Sequence, residues 1–284
     1  MGNLRACFAL AAGLAACGND HATVDAPKLI DAPIDAKVYL DSGIDASLYD
    51  FSCLTNPQPT TAPDSLTYAG TADAISLTNG LVAQAGVVLN AYLVSDPTTS
   101  IANATSAVDG TFTVTLTTPG TPLNAFVKAV TPKNGSTTYR ISYVYPPNLL
   151  NASAAGVLMP VIDDTTFTEL SGFAGATQDD SMNGSMFVQV QDCGGAPIKG
   201  ATLSVQQTGA DVGTIFDLGA QVGAQAAGFF FVFNVPDGDT QVSAKLGPTS
   251  FPTTAHTVKA YKKPGTANSE GSITITQVVP GPPS

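Results

Sequence analysis

Residues 111–117 read Thr-Phe-Thr-Val-Thr-Leu-Thr, a strict alternation of polar and large apolar side chains. Successive strand residues point to opposite faces, so this pattern buries one face and leaves the other in water. A helix cannot use it, because a period of two spreads the apolar groups around a helical surface. Strand-like runs recur at 65–72, 86–94, 124–131 and 137–145, and again at 185–192, 201–207, 228–235, 240–246, 257–262 and 271–278. The 27 Gly and 20 Pro supply turns, while a charged fraction of only 12% is too small for long salt-bridged helices. The predicted class is all-β: two tandem antiparallel β-sandwich domains at 51–147 and 184–279, after an extended acidic linker at 17–50 and before a tail at 280–284.

Asp109-Gly110 and Asn134-Gly135 are hairpin-favouring pairs. In the fifth run Tyr139, Ile141, Tyr143 and Tyr145 share a face. Such a row suits the inner layer of a sandwich, the expectation here, or a ligand-stacking strip. The inter-domain segment 148–183 differs in texture, and DDTTFTELSGFAG predicts one short helix near 163–174 with Phe167, Leu170 and Phe173 along it. Asp163 with Asp164 and Asp179 with Asp180 are the only paired acids. The first pair is expected to cap the helix and the second to sit in a loop. General acid–base work would require the fold to bring them together and raise one pKa.

The amino-terminal region has another character. Met1–Ala16 carries a short leading segment ending in Arg5, then the apolar run ACFALAAGLAA, as an export signal does. That run is too short to span a bilayer as a helix. Leu14, Ala15, Ala16 and Cys17 resemble the lipobox of bacterial lipoproteins. The resemblance implies cleavage before Cys17 and acylation of its sulfur and new amino terminus, more than the two signals that stable anchoring takes. An ordinary secretory signal with a chance cysteine is the alternative. N-myristoylation at Gly2 fits less well, because Ala6 stands where Ser or Thr is needed. Gly18 occupies the place where the retention signal of enteric bacteria has Asp, which favours the outer membrane.

Beyond Cys17, Asp25, Asp31, Asp35, Asp41 and Asp45 recur at spacings of 6, 4, 6 and 4, a period of ten. Ala26, Ala36 and Ala46 keep that register, as do Leu29, Tyr39 and Tyr49. Pro27, Pro33 and Gly43 interrupt any helix, so the segment is expected to be an extended acidic stalk, reaching on the order of 100 Å if wholly polyproline-like. Calcium loops place oxygen ligands at nearly every second position, which these carboxylates do not. With Cys7 removed and Cys17 lipidated, Cys53 and Cys193 remain. In an exported chain they are expected to form one disulfide, with two separate thiols as the alternative.

A net charge of −11, with Lys262 and Lys263 the only tight basic pair, makes nucleic acid a poor partner. Of the two histidines, His21 lies in the stalk and His256 begins a strand, and no HExxH or CxxC pattern offers a zinc set. No GxSxG elbow or phosphate loop is present. Two carboxylates alone suffice for a glycosidase, but the chain has no tryptophan to grip a sugar. No catalytic residue, metal or cofactor is therefore expected.

The run VQVQDCGGAPIKGATLSV, with the later AAGFFFVFNVPDGDTQVSA, is similar to carboxypeptidase-regulatory-like domains of transthyretin-like, Ig-like sandwich fold. Pro197, Ile198, Gly200 and Ala201 match the first half of that pattern, and Gly228, Phe229, Pro236 and Gly238 the second. Gly200 would permit a tight return, and Asp237-Gly238 a hairpin setting Phe229 and Phe231 against the opposite sheet. Residues 51–147 match more loosely through Gly70, AGVVLNAYLV and Asp109 to Phe112. The resemblance implies no activity of its own. The functional expectation is a non-catalytic cell-envelope lipoprotein, held to the membrane through acyl chains and facing periplasm or cell surface. Its sandwiches would meet an envelope protein or polysaccharide at loops or strand edges. The alternative is a periplasmic or surface protein binding a small molecule, glycan or Ca²⁺ in a cleft between sandwiches; a hydrolase is a distant third.

Overall fold

The computed structural model describes residues 48–77, 79–222, 226–252, 254–258 and 271–281. The first half contributes β1 (Ser65–Ser76), β2 (Gly80–Ala83), β3 (Val88–Leu93), β4 (Asp96–Thr105), β5 (Thr111–Thr117), β6 (Ala125–Val130), β7 (Ile141–Tyr145), β8 (Ala154–Val161) and helix α1 (Asp164–Phe173). The second contributes β9 (Asn183–Val190), β10 (Thr202–Gln207), β11 (Ala210–Asp211), β12 (Thr214–Asp217), the short helix α2 (Leu218–Val222), β13 (Phe229–Pro236), β14 (Gly238–Leu246), β15 (Thr249–Ser250), β16 (Thr254–Val258) and β17 (Ser272–Val278). The all-β sandwich expectation holds, and TFTVTLT is β5, with Phe112, Val114 and Leu116 buried and its threonines exposed at alternate positions.

Among the described residues three sheets form, and one of them belongs to both halves. Its order is β12-β13-β9-β17-β7-β6-β3-β4. The join is β17, which lies parallel to β9 on one side (Ile275 opposite Phe187) and parallel to β7 on the other (Ile275 opposite Val144). Six of its seven residues are buried, as suits a strand covered on both faces. The boundaries 51–147 and 184–279 thus mark where strands come from in the chain, while the sheet runs through both. β17 also makes the topology mixed, as does the parallel pairing of β8 with β1.

Each half adds a second sheet, and the two lie against opposite faces of the shared one. Strands β1, β2, β5 and β8 pack Leu66, Val114 and Leu116 toward Leu89, Val127, Ile273 and Phe231. Strands β10, β11, β14, β15 and β16 form the other, where Val205, Val242 and Leu246 meet Met186, Val188, Phe230 and Val232. The parity of β13 makes this possible. Phe229, Phe231 and Phe233 enter the first cluster, while Phe230 and Val232 enter the second.

That parity corrects one expectation. Phe229 and Phe231 turn away from the sheet of β14 and pack with the first half. Asp237-Gly238 likewise makes no hairpin: β13 and β14 belong to different sheets, so the turn carries the chain across the sandwich. Asp109-Gly110 does the same between β4 and β5, whereas Asn134-Gly135 joins the paired strands β6 and β7 as a hairpin loop should. Gly200 is left-handed (φ 76°), as a tight return needs. Gly228 is also left-handed (φ 77°), and a Cβ there would lie 2.8 Å from Ile198 N and Val190 O.

Segment 148–183 does more than connect. Its AAGVLMPV is β8, a strand the sequence expectation omitted, and β4 (DPTTSIANAT) was omitted too. The predicted helix is present. Asp163 caps it by accepting the Thr166 N–H at 2.8 Å, and Phe167 and Leu170 are buried. Phe173, six residues after Phe167 and two-thirds of a turn off that face, is 68% exposed.

Candidate anchoring and binding site

The described chain begins where the acidic repeat ends, and its first residues are docked. Tyr49 and Phe51 pack on the second cluster, Phe51 meeting Phe251 edge-on at 5.9 Å between ring centroids, and the Tyr49 hydroxyl accepts the Lys199 N–H at 3.0 Å. Between them Asp50 donates its N–H to Asp192 Oδ2 at 3.0 Å and accepts the Cys193 N–H at 2.8 Å. Asp192 is buried, and its other oxygen accepts the N–H groups of Gly194 (3.0 Å) and Ala196 (2.8 Å). Three backbone donors thus take the place of the water that the carboxylate has lost.

Directly beyond lies the Cys53–Cys193 disulfide, with Cα atoms 5.6 Å apart, within the usual span. The expected bridge is therefore formed, and it fastens the exit of the amino-terminal segment to the second half of the chain. Tyr49 and Asp50, assigned by sequence to the linker, belong to the fold. Cys17 and the five repeat aspartates lie outside the described residues, as do His21, Lys262 and Lys263.

A cleft of about 620 Å³ opens between the 146–152 loop, β8 and the ends of β9 and β17. Across its floor run three amides: Gln191 Nε2 donates to Gln277 Oε1 at 3.3 Å, and Gln277 Nε2 donates to Gln189 Oε1 at 3.2 Å. Its sides include Tyr68, Leu149, Leu150, Val157 and Pro197, and among the described residues no Asp, Glu, Lys, Arg or His lines it. Burial pushes the Tyr68 hydroxyl up to about 12, so that it is neutral at physiological pH. A second hollow of about 540 Å³ adjoins this one, sharing Pro147, Asn148, Asn151, Gln191 and Gly195, and reaches the disulfide. Sequence reasoning did not find these walls. The available sign was glutamine at core-facing positions near strand ends, in VQVQD and in ITQV.

Other candidate residues have structural partners. From the two acid pairs the fold brings Asp164 and Asp180 together, but around Arg140. The guanidinium donates to both Asp180 oxygens at 2.8 and 2.6 Å, its Nε lies 3.2 Å from Asp164 Oδ1 without hydrogen-bond alignment, and it sits 3.5 Å over the Phe167 ring. Charge neutralisation and packing account for this group. Of the tyrosine row, Tyr139 departs: it packs with the first cluster and donates to Gln84 Oε1 at 3.2 Å. Ile141 and Tyr145 are buried on the strand and Phe126 is stacked between Tyr92 and Tyr145 at 5.4 and 5.0 Å, but none of these four belongs to either core cluster. β7 enters the first cluster through Val144, so the rest of the row packs on the opposite face of the sheet and not in the expected inner layer. His256 lies on β16, opposite Thr240 of β14. Among the described residues no group of three or more His, Cys, Asp or Glu is placed to hold a metal ion, and no helix is long and apolar enough to cross a membrane.

No family model and no curated protein matches the chain. Solved structures similar to it include the Bacillus anthracis TIE protein (10% identity, TM-score 0.24, covering 75% of this chain and 34% of that one). A streptococcal ancillary pilin (13%, 0.24, 76% and 63%) and the major pilin RrgB from Streptococcus pneumoniae (9%, 0.22, 78% and 50%) are also similar. The chain thus spans under two thirds of the length of each, and nothing about its activity is carried over from them.

Proposed function

We propose that this chain is a non-catalytic lipoprotein of the cell envelope, anchored through acylated Cys17 and presenting its sandwiches for structural or adhesive contact. The amino-terminal signal and lipobox support the anchor, and Gly18 supports an outer-membrane destination. The carrying observation is the Cys53–Cys193 bridge at the base of the acidic segment. A disulfide persists in an oxidising compartment, so it supports export independently of the signal sequence. Its position also suits an anchored protein, because tension on the tether enters the central sheet beside β9. We read the 184–279 half as a carboxypeptidase-regulatory-like, transthyretin-like sandwich serving contact rather than reaction, with a protein or polysaccharide of the envelope as partner.

Fractionation tests the anchor. Cys17→Ser, or inhibition of lipoprotein processing with globomycin, should move the chain from the membrane to the soluble fraction. Unchanged membrane recovery in both would reject the lipid anchor.

A further inference from the structure

Strand β8 is an edge strand, and its unpaired edge faces the cleft. It pairs with β1 through Gly70 opposite Val157, Thr71 opposite Leu158, Ala72 opposite Met159 and Asp73 opposite Pro160, and among the described residues it pairs with no other strand. Main-chain groups of successive strand residues point to opposite edges, so the direction of one residue fixes that of every second one. The Pro160 carbonyl accepts the Ser142 hydroxyl of β7 at 3.0 Å, and the Ile162 carbonyl accepts the Arg140 N–H at 2.9 Å. From the bulge at 155–156 onward, even-numbered residues therefore turn away from β1. Pro160 fits that edge because a strand tolerates proline where no ladder donor is needed. Two residues earlier, Leu158 directs its N–H and carbonyl the same way, into the cleft that it lines.

The geometry points to the cleft as a strand-addition site for an uncharged, apolar peptide segment lying beside Val157 and Leu158, on the Pro160 side of the bulge at 155–156. Main-chain hydrogen bonds to Leu158 would supply the register, and side chains of one parity would enter between Leu149, Leu150 and Phe187. The three-glutamine floor can donate to and accept from peptide groups on the opposite side. Charge selects the occupant. With no cation or anion in the lining, a carboxylate or ammonium entering it would be desolvated without a partner. That excludes the chain's own acidic repeat, where Lys28 and Lys37 stand inside the longer gaps between aspartates and no more than three consecutive residues from Asp25 to Asp45 are uncharged. The bulge at 155–156, where the register with β1 shifts and Gly156 is left-handed (φ 70°), ends the regular edge, so the ladder is confined to the N–H and carbonyl of Leu158 and the cleft walls hold the rest of the segment.

This inference rests on the contact-forming reading of the sandwich, but its test is independent of membrane anchoring. Uncharged random heptapeptides displayed on phage are selected on the full chain, with an Asp-containing library in parallel, and enriched sequences are synthesised. The uncharged library should enrich, and the synthetic peptides should lose at least tenfold in affinity on Leu158→Pro, which removes the cleft-side donor as Pro160 already does. They should lose as much when the pairing peptide nitrogen is methylated, a change that leaves the protein untouched should the variant not fold. Gln277→Glu should weaken them too. Absence of enrichment, preference for the acidic library, insensitivity to peptide methylation, or displacement of the peptides by maltoheptaose would each overturn the proposal. A fractionation failure alone would leave it standing.

Discussion

Arg140 meets two carboxylates whose surroundings differ. Asp180 is held by a two-pronged ion pair with 19% of its side chain exposed, while Asp164 is 45% exposed and poorly aligned. Arg140→Met should therefore destabilise the fold by about 3 kcal/mol, mostly by leaving Asp180 unpaired, whereas Asp164→Asn should cost less than about 1 kcal/mol. Urea unfolding of the two variants checks the ordering. Gly228→Ala combines a left-handed backbone with a blocked Cβ position and should cost about 2–4 kcal/mol. Tyr68 sets an alkaline limit. Its pKa is raised from 10.0 to about 12 by burial, so its contribution is complete below pH 10 and is lost as pH rises toward about 12, for a total of about 3 kcal/mol. Urea midpoints at pH 9 and 11.5 should converge in Tyr68→Phe relative to the parent. At the acid end, Asp50, Asp96, Asp109 and Asp179 each accept from a Ser or Thr two residues on, which lowers their pKa below the ordinary 3.8. These exposed turns favour folding above that value and lose the contribution as pH falls through the lowered one.

Among the elements, the disulfide and β17 do the joining. On the chain-entropy model, closing a separation of 140 residues stabilises by about 5 kcal/mol. Reduction, or Cys53→Ser with Cys193→Ser, should lower the thermal midpoint markedly and speed proteolysis near Leu54. An unchanged midpoint would show that Tyr49, Phe51 and the Asp192 contacts hold the segment unaided. Helix α1 depends more modestly on its cap, and Asp163→Ala should cost about 1 kcal/mol in the same assay. The strands read correctly from sequence were those with a clean period of two, as in β5, or a dense apolar run, as in β13. β4 was missed because its residues are largely exposed and polar, leaving no buried face to write a pattern. β8 was missed because Gly156 and Pro160 read as loop residues, although edge strands tolerate both.

At the scale of the whole molecule, one sheet shared by both halves implies one cooperative unit. Calorimetry should show a single transition with equal calorimetric and van't Hoff enthalpies, and two resolved transitions would contradict the shared sheet. Residues 51–147 made alone should fail to fold, since β7 would lose its β17 partner and the first cluster would lose Ile273, Ile275, Phe229, Phe231 and Phe233. The sequence by itself determined the β class, the helix and its cap, the likeness of residues 14–17 to a lipobox, and the two cysteines available to pair. Each of these is written in neighbouring residues, through side-chain period, capping chemistry or simple count. Only the tertiary structure decided that β17 joins the halves, that Asp109-Gly110 and Asp237-Gly238 cross between sheets, and that an uncharged cleft forms beside β8. Strand alternation shows that a face is buried but not against what, because the partner is chosen by contacts between residues far apart in the chain.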